Sequence, residues 1–156
     1  MYVDINIMPP MPVLSDIPFE TTIEVGGACL CLHVQQAARA TARRFDEAFR
    51  PFGLTNGQFS LMMALNNPVP PSMKAIAERL AMDRTTLTAA LKPLERRRLV
   101  KVTVDKTDKR SRVMTLTQPG RARLAAAIPV WRSTHAEIDR LVGNADRLRA
   151  DLLALS

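Results

Sequence analysis

The run Asp83-Arg84-Thr85-Thr86-Leu87-Thr88 places one guanidinium and three hydroxyls in the first turns of what reads as a helix. On a helix laid into the major groove, such side chains meet base edges or phosphates. Arginine pairs with guanine acceptors, and threonine uses its hydroxyl or touches the thymine methyl. Lys92 follows one turn on, placed for a phosphate, and the helix N-terminus itself favours an anion. Ser72 and Lys74, opening the preceding helical stretch, are further phosphate candidates. Downstream, Lys106, Lys109, Arg110 and Arg112 form a basic finger suited to an adjacent minor groove, whose narrowing attracts arginine. Asp108, inside that finger, is read as pairing with a nearby arginine and shaping the loop. Each group also has a plainer role, Asp83 and the threonines as helix caps and the cations as solvated charge.

Two short helices and a strand pair must position these groups. In residues 76–91, IAERLAMDRTTLTAAL, Ala77 is the small residue a steep helix crossing needs, and Ala81 takes a turn position that often holds glycine. Ile76, Leu80, Met82, Leu87 and Ala90 fall where the unit needs apolar side chains. Ser72 and Asp83 are the expected N-caps. The period then changes to two. Leu99–Asp105 and Arg112–Thr117 read as antiparallel strands around the polar basic loop. A helix-turn-helix followed by a basic strand–loop–strand is a winged helix-turn-helix. Upstream, Ala28 to Arg50 carries helical spacing and is stopped by Pro51 and Gly53. Thr55–Gln58 has capping-box form before another helix. Downstream, Thr117 caps a long helix expected to run to Gly143 with a kink at Pro129, and Asn144 caps a last one. The expected organisation is an extended, Pro-rich, acidic arm over 1–27, a helical dimerisation domain from 28–50 and 118–156, and a winged DNA-binding domain over 51–117. The fold class is mainly α with a small β-wing.

Composition narrows the function. Of 156 residues, 22 are Lys or Arg and 15 Asp or Glu. Residues 72–123 hold 14 of those cations and five of the acids, so the excess positive charge lies in one third of the chain. That favours a phosphate-binding surface over an evenly solvated one. Aromatics at 4% argue against a single-strand binder built on stacking. Two cysteines cannot make a disulfide framework, and no apolar run reaches membrane-spanning length, so the chain reads as cytoplasmic with reduced thiols. No phosphate loop, nucleophile elbow, HExxH or metal-ligand spacing is present, so neither an enzyme nor a cofactor is expected.

The chain resembles the MarR family of bacterial transcriptional regulators from about Cys29 to Leu155. The resemblance rests on FGLTNGQFSLMMAL (52–65), SMKAIAERLAMDRTTLTAALKPLERRRLV (72–100) and VDKTDKRSRVMTLTQPG (104–120). Asp108 and Arg110 stand as the family's wing signature, and Thr117 and Gly120 as the threonine and glycine after the wing. The resemblance implies a homodimer on a palindromic double-stranded operator, acting as a repressor and released by a small molecule or by thiol oxidation. The apolar stripes of the first and last helices agree, since one winged domain cannot cover them. Three departures stand out. Arg98 occupies a place where many relatives have glycine, Ala89 one where some carry a polar reading residue, and Pro93 lies inside the recognition helix. For release, Arg39, Arg43, Arg44, Phe45, Met62 and Trp131 are candidates to line a site for an anionic aromatic ligand. By position Cys31 resembles the reactive thiol of the hydroperoxide-sensing branch. Gln35 and Phe45 stand where that branch has activating tyrosine hydroxyls, so Cys29 and Cys31 are read mainly as buried or half-buried structural thiols. The remaining alternative is a basic winged interaction module without operator preference.

Overall fold

The computed structural model describes residues 17–105 and 108–155. The chain divides into two compact units, one ending at Ala38 and the other starting at Arg39. In the first, α1 (Phe19–Ala28) begins directly behind Pro18, with Glu20 in its first turn, where a carboxylate suits the helix dipole. Residues 19–27 are therefore helical rather than extended; residues 1–16 of the expected arm lie outside the described residues. Phe19–Val25 contains no proline, and Gly26-Gly27 falls in the last turn, so the pair closes a helix rather than preventing one. Cys29 breaks the path with extended backbone (φ −71°, ψ 102°), and α2 (Leu30–Phe49) starts at the next residue. No side chain of α1 is buried.

The second unit holds the core. α2 ends in a short 3-10 turn, Arg50–Phe52, and Gly53 turns the chain at φ 59° so that the Leu54 N–H reaches the Phe49 carbonyl (3.3 Å). α3 (Asn56–Leu65) opens with the expected capping box between Thr55 and Gln58. α4 (Met73–Arg79) is capped by Ser72 and α5 (Arg84–Arg96) by Asp83. β1 (Val100–Val104) and β2 (Arg112–Leu116) pair antiparallel, Val100 opposite Leu116 and Val104 opposite Arg112. α6 (Gln118–Asp139) is capped by Thr117 and α7 (Ala145–Leu153) by Asn144. α6 stops before Gly143, because Leu141 N–H bonds the Ile138 carbonyl and tightens the path into a turn. α7 is tied back to α6 by Arg149, which donates to Asp139 (2.5 Å) and Asp146 (2.8 Å).

The expected inward residues Leu87, Leu91 and Leu94 of α5 are buried with Leu61 and Leu65 of α3, Ile76 of α4, and Met114 and Leu116 of β2. Each such side chain contributes about 1.5–3 kcal/mol by leaving water. An aromatic group extends the core, Phe49 stacked on Phe59 (4.5 Å) and on Phe45 (5.6 Å).

Both helices of the helix-turn-helix end in the same way. After α4, Ala81 adopts φ 50°, its N–H bonds the Glu78 carbonyl (3.2 Å), and Met82 N–H reaches back to the Ala77 carbonyl (2.9 Å). After α5, Arg98 adopts φ 56°, its N–H bonds Glu95 (2.8 Å), and Leu99 N–H reaches Leu94 (2.9 Å). These are Schellman stops, which normally employ glycine at the left-handed position. The α6 N-terminus closes against the second stop. Thr117 N–H donates to the Leu99 carbonyl (3.0 Å), and its hydroxyl lies within bonding distance of the Arg98 and Leu99 carbonyls (2.7 and 3.1 Å). A Cβ on Gly120 would lie 2.0 Å from the Leu99 oxygen.

Gly120→Ala is expected to destabilise the protein by about 3 kcal/mol or more, since backbone must move; a urea midpoint unchanged from wild type would contradict this packing. Ala81→Gly is expected to stabilise by about 0.5–1 kcal/mol, left-handed strain outweighing the added chain entropy; a lowered midpoint would show that Ala81 is unstrained.

Candidate nucleic-acid interface

α5 starts from a carboxylate that binds its own helix end. Asp83 Oδ1 accepts the Thr86 N–H (2.8 Å) and Oδ2 accepts the Thr86 hydroxyl (2.6 Å). The hydroxyl bond first, and the backbone N–H second, draw the Asp83 carboxyl below its ordinary value of 3.8. The Thr88 hydroxyl donates to the Arg84 carbonyl (2.7 Å). Arg84, Thr85, Thr88, Ala89 and Lys92 are all exposed. Pro93 sits within the continuous α5.

The wing is held at both edges. Beyond the β1–β2 pairing, Val113 bridges to Ser72, and Met114 N–H donates to the Pro71 carbonyl (3.3 Å). The strand thus fastens to the segment that opens α4. At the wing tip Asp105 Oδ1 accepts the Asp108 N–H (3.0 Å), and Asp108 Oδ1 accepts the Arg110 N–H (2.9 Å). Asp108 therefore shapes the loop as expected, but through the Arg110 backbone rather than its guanidinium. A short carboxylate reaches the amide two residues on, which leaves the arginine side chain free. The part played by Asp105 was not read from the sequence; its three-residue spacing from Asp108 is the signal that carried it.

A cleft of about 570 Å³ opens between α4 and the wing, lined among others by Ser72, Lys74, Arg84, Asp108, Arg110 and Arg112. Five predicted DNA-binding residues and the wing acid, from three separate segments, are brought together there. The Ser72 hydroxyl accepts the Ala75 N–H (3.2 Å), and Lys74 lies 3.8 Å from Glu78 with both side chains exposed. Thr85, Thr86, Thr88 and Lys92 lie along α5 and Lys109 at the exposed wing turn, outside the lining. Lys106 lies outside the described residues. Among the described residues, Arg84, Lys92, Lys109, Arg110 and Arg112 form no ion pair. Two other cations of the basic third are structural. Arg121 donates to the Leu116 carbonyl (2.7 Å) and Arg123 to that of Phe52 (3.0 Å).

The release candidates separate. Cys29 is half-buried, as expected, whereas Cys31 is exposed at the start of α2, and both are free thiols. Gln35 Nε2 donates to Cys31 Sγ (3.1 Å), one turn along the same helix. His33 Nδ1 faces the Cys29 carbonyl (2.8 Å), not its thiol. Arg43 is exposed, but Phe45 and Met62 are buried core residues rather than the walls of an open site. The Phe45 ring is taken up by Phe49 and His135, and Met62 is fully buried in the core. His135 stands edge-on to both Phe45 (5.2 Å) and Trp131 (4.5 Å), with its Nδ1 buried and unpartnered among the described residues.

A sequence profile of the MarR family matches residues 52–111. The HTH-type transcriptional repressor NicR of Pseudomonas putida is 32% identical over 126 residues, 80% of this chain and 75% of NicR. Among solved structures, the M. tuberculosis transcriptional regulator MosR in complex with DNA matches with a TM-score of 0.76 at 38% identity, over 81% of this chain and 92% of MosR. The transcriptional repressor CouR bound to a 23-mer DNA duplex matches with a TM-score of 0.69 at 28% identity, over 90% of this chain and 96% of CouR.

The Asp83 cap gives a pH signature. A carboxyl held below its ordinary value contributes stability above about pH 3.8, and that contribution is lost as pH falls through the folded-state value. Asp83→Ala is expected to lower the urea midpoint near neutral pH, with the gap from wild type narrowing in acid. An equal gap at both pH values would mean that the ionised carboxylate is not what caps α5.

Proposed function

The chain belongs to the MarR family of DNA-binding transcriptional regulators, and from that premise we propose that it represses transcription as a cytoplasmic homodimer on a palindromic operator. The observation that carries the reading is the set of uncommitted cations on α5 and the wing, joined across one cleft. α5 enters the major groove, Arg84 pairs with guanine, and Thr85, Thr86 and Thr88 lie beside it. Ser72, Lys74, Lys92 and Arg112 take phosphates, while Lys109 and Arg110, with Lys106, enter the minor groove. The second subunit covers apolar side chains left bare in one chain, among them Phe19, Ile23 and Leu30 of the first two helices and Leu148 and Leu152 of α7. The solved complexes of MosR and CouR with DNA support the operator reading.

Release is assigned to a small anionic aromatic ligand. Arg39, Arg43 and Arg44 on α2 supply charge, and the unpartnered His135 nitrogen beside Trp131 supplies a polar handle in an aromatic setting. The exposed Cys31 is the thiol that a redox alternative would use.

Footprinting of the DNA flanking its own gene is expected to show two symmetric protected half-sites about one helical turn apart. The preference over random duplex at fixed salt should be at least ~10³. Arg84→Ala should cost about 1–3 kcal/mol on that site and relax its selectivity. The Lys109→Ala, Arg110→Ala pair should flatten the salt dependence by about one unit of slope for each phosphate left unneutralised. Equal binding to all duplexes would leave only a basic interaction module. Repeating the footprint with benzoate and, separately, with hydrogen peroxide tells ligand release from thiol release.

A further inference from the structure

Thr85, Thr88, Ala89 and Lys92 are spaced i, i+3, i+4 and i+7, so they share one face of α5, and all four are exposed. Leu87, Leu91 and Leu94 form the buried side. Two of the three threonine hydroxyls at this end of the helix are already engaged within it. Thr86 donates to Asp83 Oδ2 (2.6 Å), and Thr88 donates to the Arg84 carbonyl (2.7 Å). A hydroxyl whose proton is held by an i−4 carbonyl has none to give a base. The rotamer that makes the bond leaves the γ-methyl of Thr88 as its uncommitted group. Ala89, the next residue, is exposed as well and carries only a β-methyl. Past Ala89 a shallow depression of about 500 Å³ runs along the helix, bordered by Lys92 and Arg96. No long side chain at position 89 fills it. The hydroxyl of Thr85 makes no hydrogen bond among the described residues.

The one apolar group that a base pair projects into the major groove is the thymine C5 methyl. We propose that the centre of α5 selects thymine by its methyl group, through apolar contact with Thr88 Cγ2 and Ala89 Cβ. The threonines of this helix thus divide into a cap (Thr86), a free hydroxyl (Thr85) and a methyl reader (Thr88). This rests on the operator reading above and adds the chemical group by which one half-site position is recognised.

The test begins with the full-length protein and a library of random duplexes, from which a preferred duplex is selected. Each thymine of that duplex is then replaced singly by uracil, which keeps the pairing edge and the O4 acceptor and lacks only the methyl. At one or two positions per half-site, uracil is expected to weaken binding about fourfold, the effect of one buried methyl. Thr88→Val, which keeps a methyl in place and lacks the hydroxyl, should retain the uracil penalty whatever its overall affinity. Thr88→Ser keeps the hydroxyl and lacks the methyl. It should bind the thymine duplex more weakly, by up to about fourfold, and show a clearly smaller penalty at that position, the Ala89 contact remaining. Both variants are checked for wild-type helicity. A preferred duplex that is indifferent to uracil throughout overturns methyl reading and leaves the operator intact. A penalty that Thr88→Ser leaves unchanged overturns the assignment to Thr88. Failure to select any preferred duplex removes the operator reading, and this inference with it.

Discussion

The carbonyl of Leu99 is the point on which the winged region is assembled. α5 stops at Arg96, and just past its stop the carbonyls of Arg98 and Leu99 are both met by one residue, Thr117. The same threonine caps α6 through Gly120 N–H (3.1 Å), and Gly120 must lack a Cβ for the approach to occur. The stop after the recognition helix, the residue that leads into β1 and the first turn of α6 therefore meet within a few bonds. At the far side, Val113 and Met114 fasten the wing to the residues that open α4. With both strands of the wing pinned, α5 and β2 cannot shift independently without breaking named bonds. A duplex then meets a surface whose ordering cost was met on folding.

That frame carries local strain at two places. Ala81 and Arg98 hold left-handed backbone that glycine would take without steric cost. Both sit in the same pair of closures, one N–H reaching back three residues and the next reaching back five, and both stand where a helix of the helix-turn-helix stops abruptly and the next element turns away. After α5, Leu94 and Leu99, the apolar pair that accompanies such a closure, both lie in the core; after α4, Ala77 packs against it. Arg98 contributes positive charge beside the wing, which glycine would not.

Most of the local structure was legible in the residues because its causes are local. Thr55, Ser72, Asp83, Thr117 and Asn144 all cap as their types and spacing predict, and the period-two strands pair as read. The wing acid was legible as a loop former, although its partner is an amide rather than a guanidinium. What the sequence did not reveal depends on direction or on distant neighbours. The helix at Phe19–Ala28 was masked by its proline and glycine borders. Arg121 and Arg123 look like Lys109 and Arg110 in composition, yet they serve carbonyls five and seventy-one residues away. Phe45 and Met62 read as pocket walls, and tertiary packing encloses them. The division of labour among Thr85, Thr86 and Thr88 is a matter of rotamers, which spacing does not encode.

Affinity and discrimination have separate origins on this surface, and their magnitudes bear on the number of subunits. The unpaired cations attract phosphate on any duplex, so they strengthen binding without choosing a site. On the proposed reading, choice falls to a short list: a guanine pairing by Arg84, worth about 1–3 kcal/mol, and a methyl contact worth about 0.8 kcal/mol. One copy of α5 thus supplies roughly 2–4 kcal/mol of discrimination. Specific regulators stand about 4–10 kcal/mol above their own background on random DNA. A single chain with so few committed readers falls at or below the bottom of that range, and two copies on symmetric half-sites reach into it. The proposed homodimer accounts for the sparse recognition helix and for the exposed apolar side chains of the terminal helices together, since a second copy would cover that surface and double the reading.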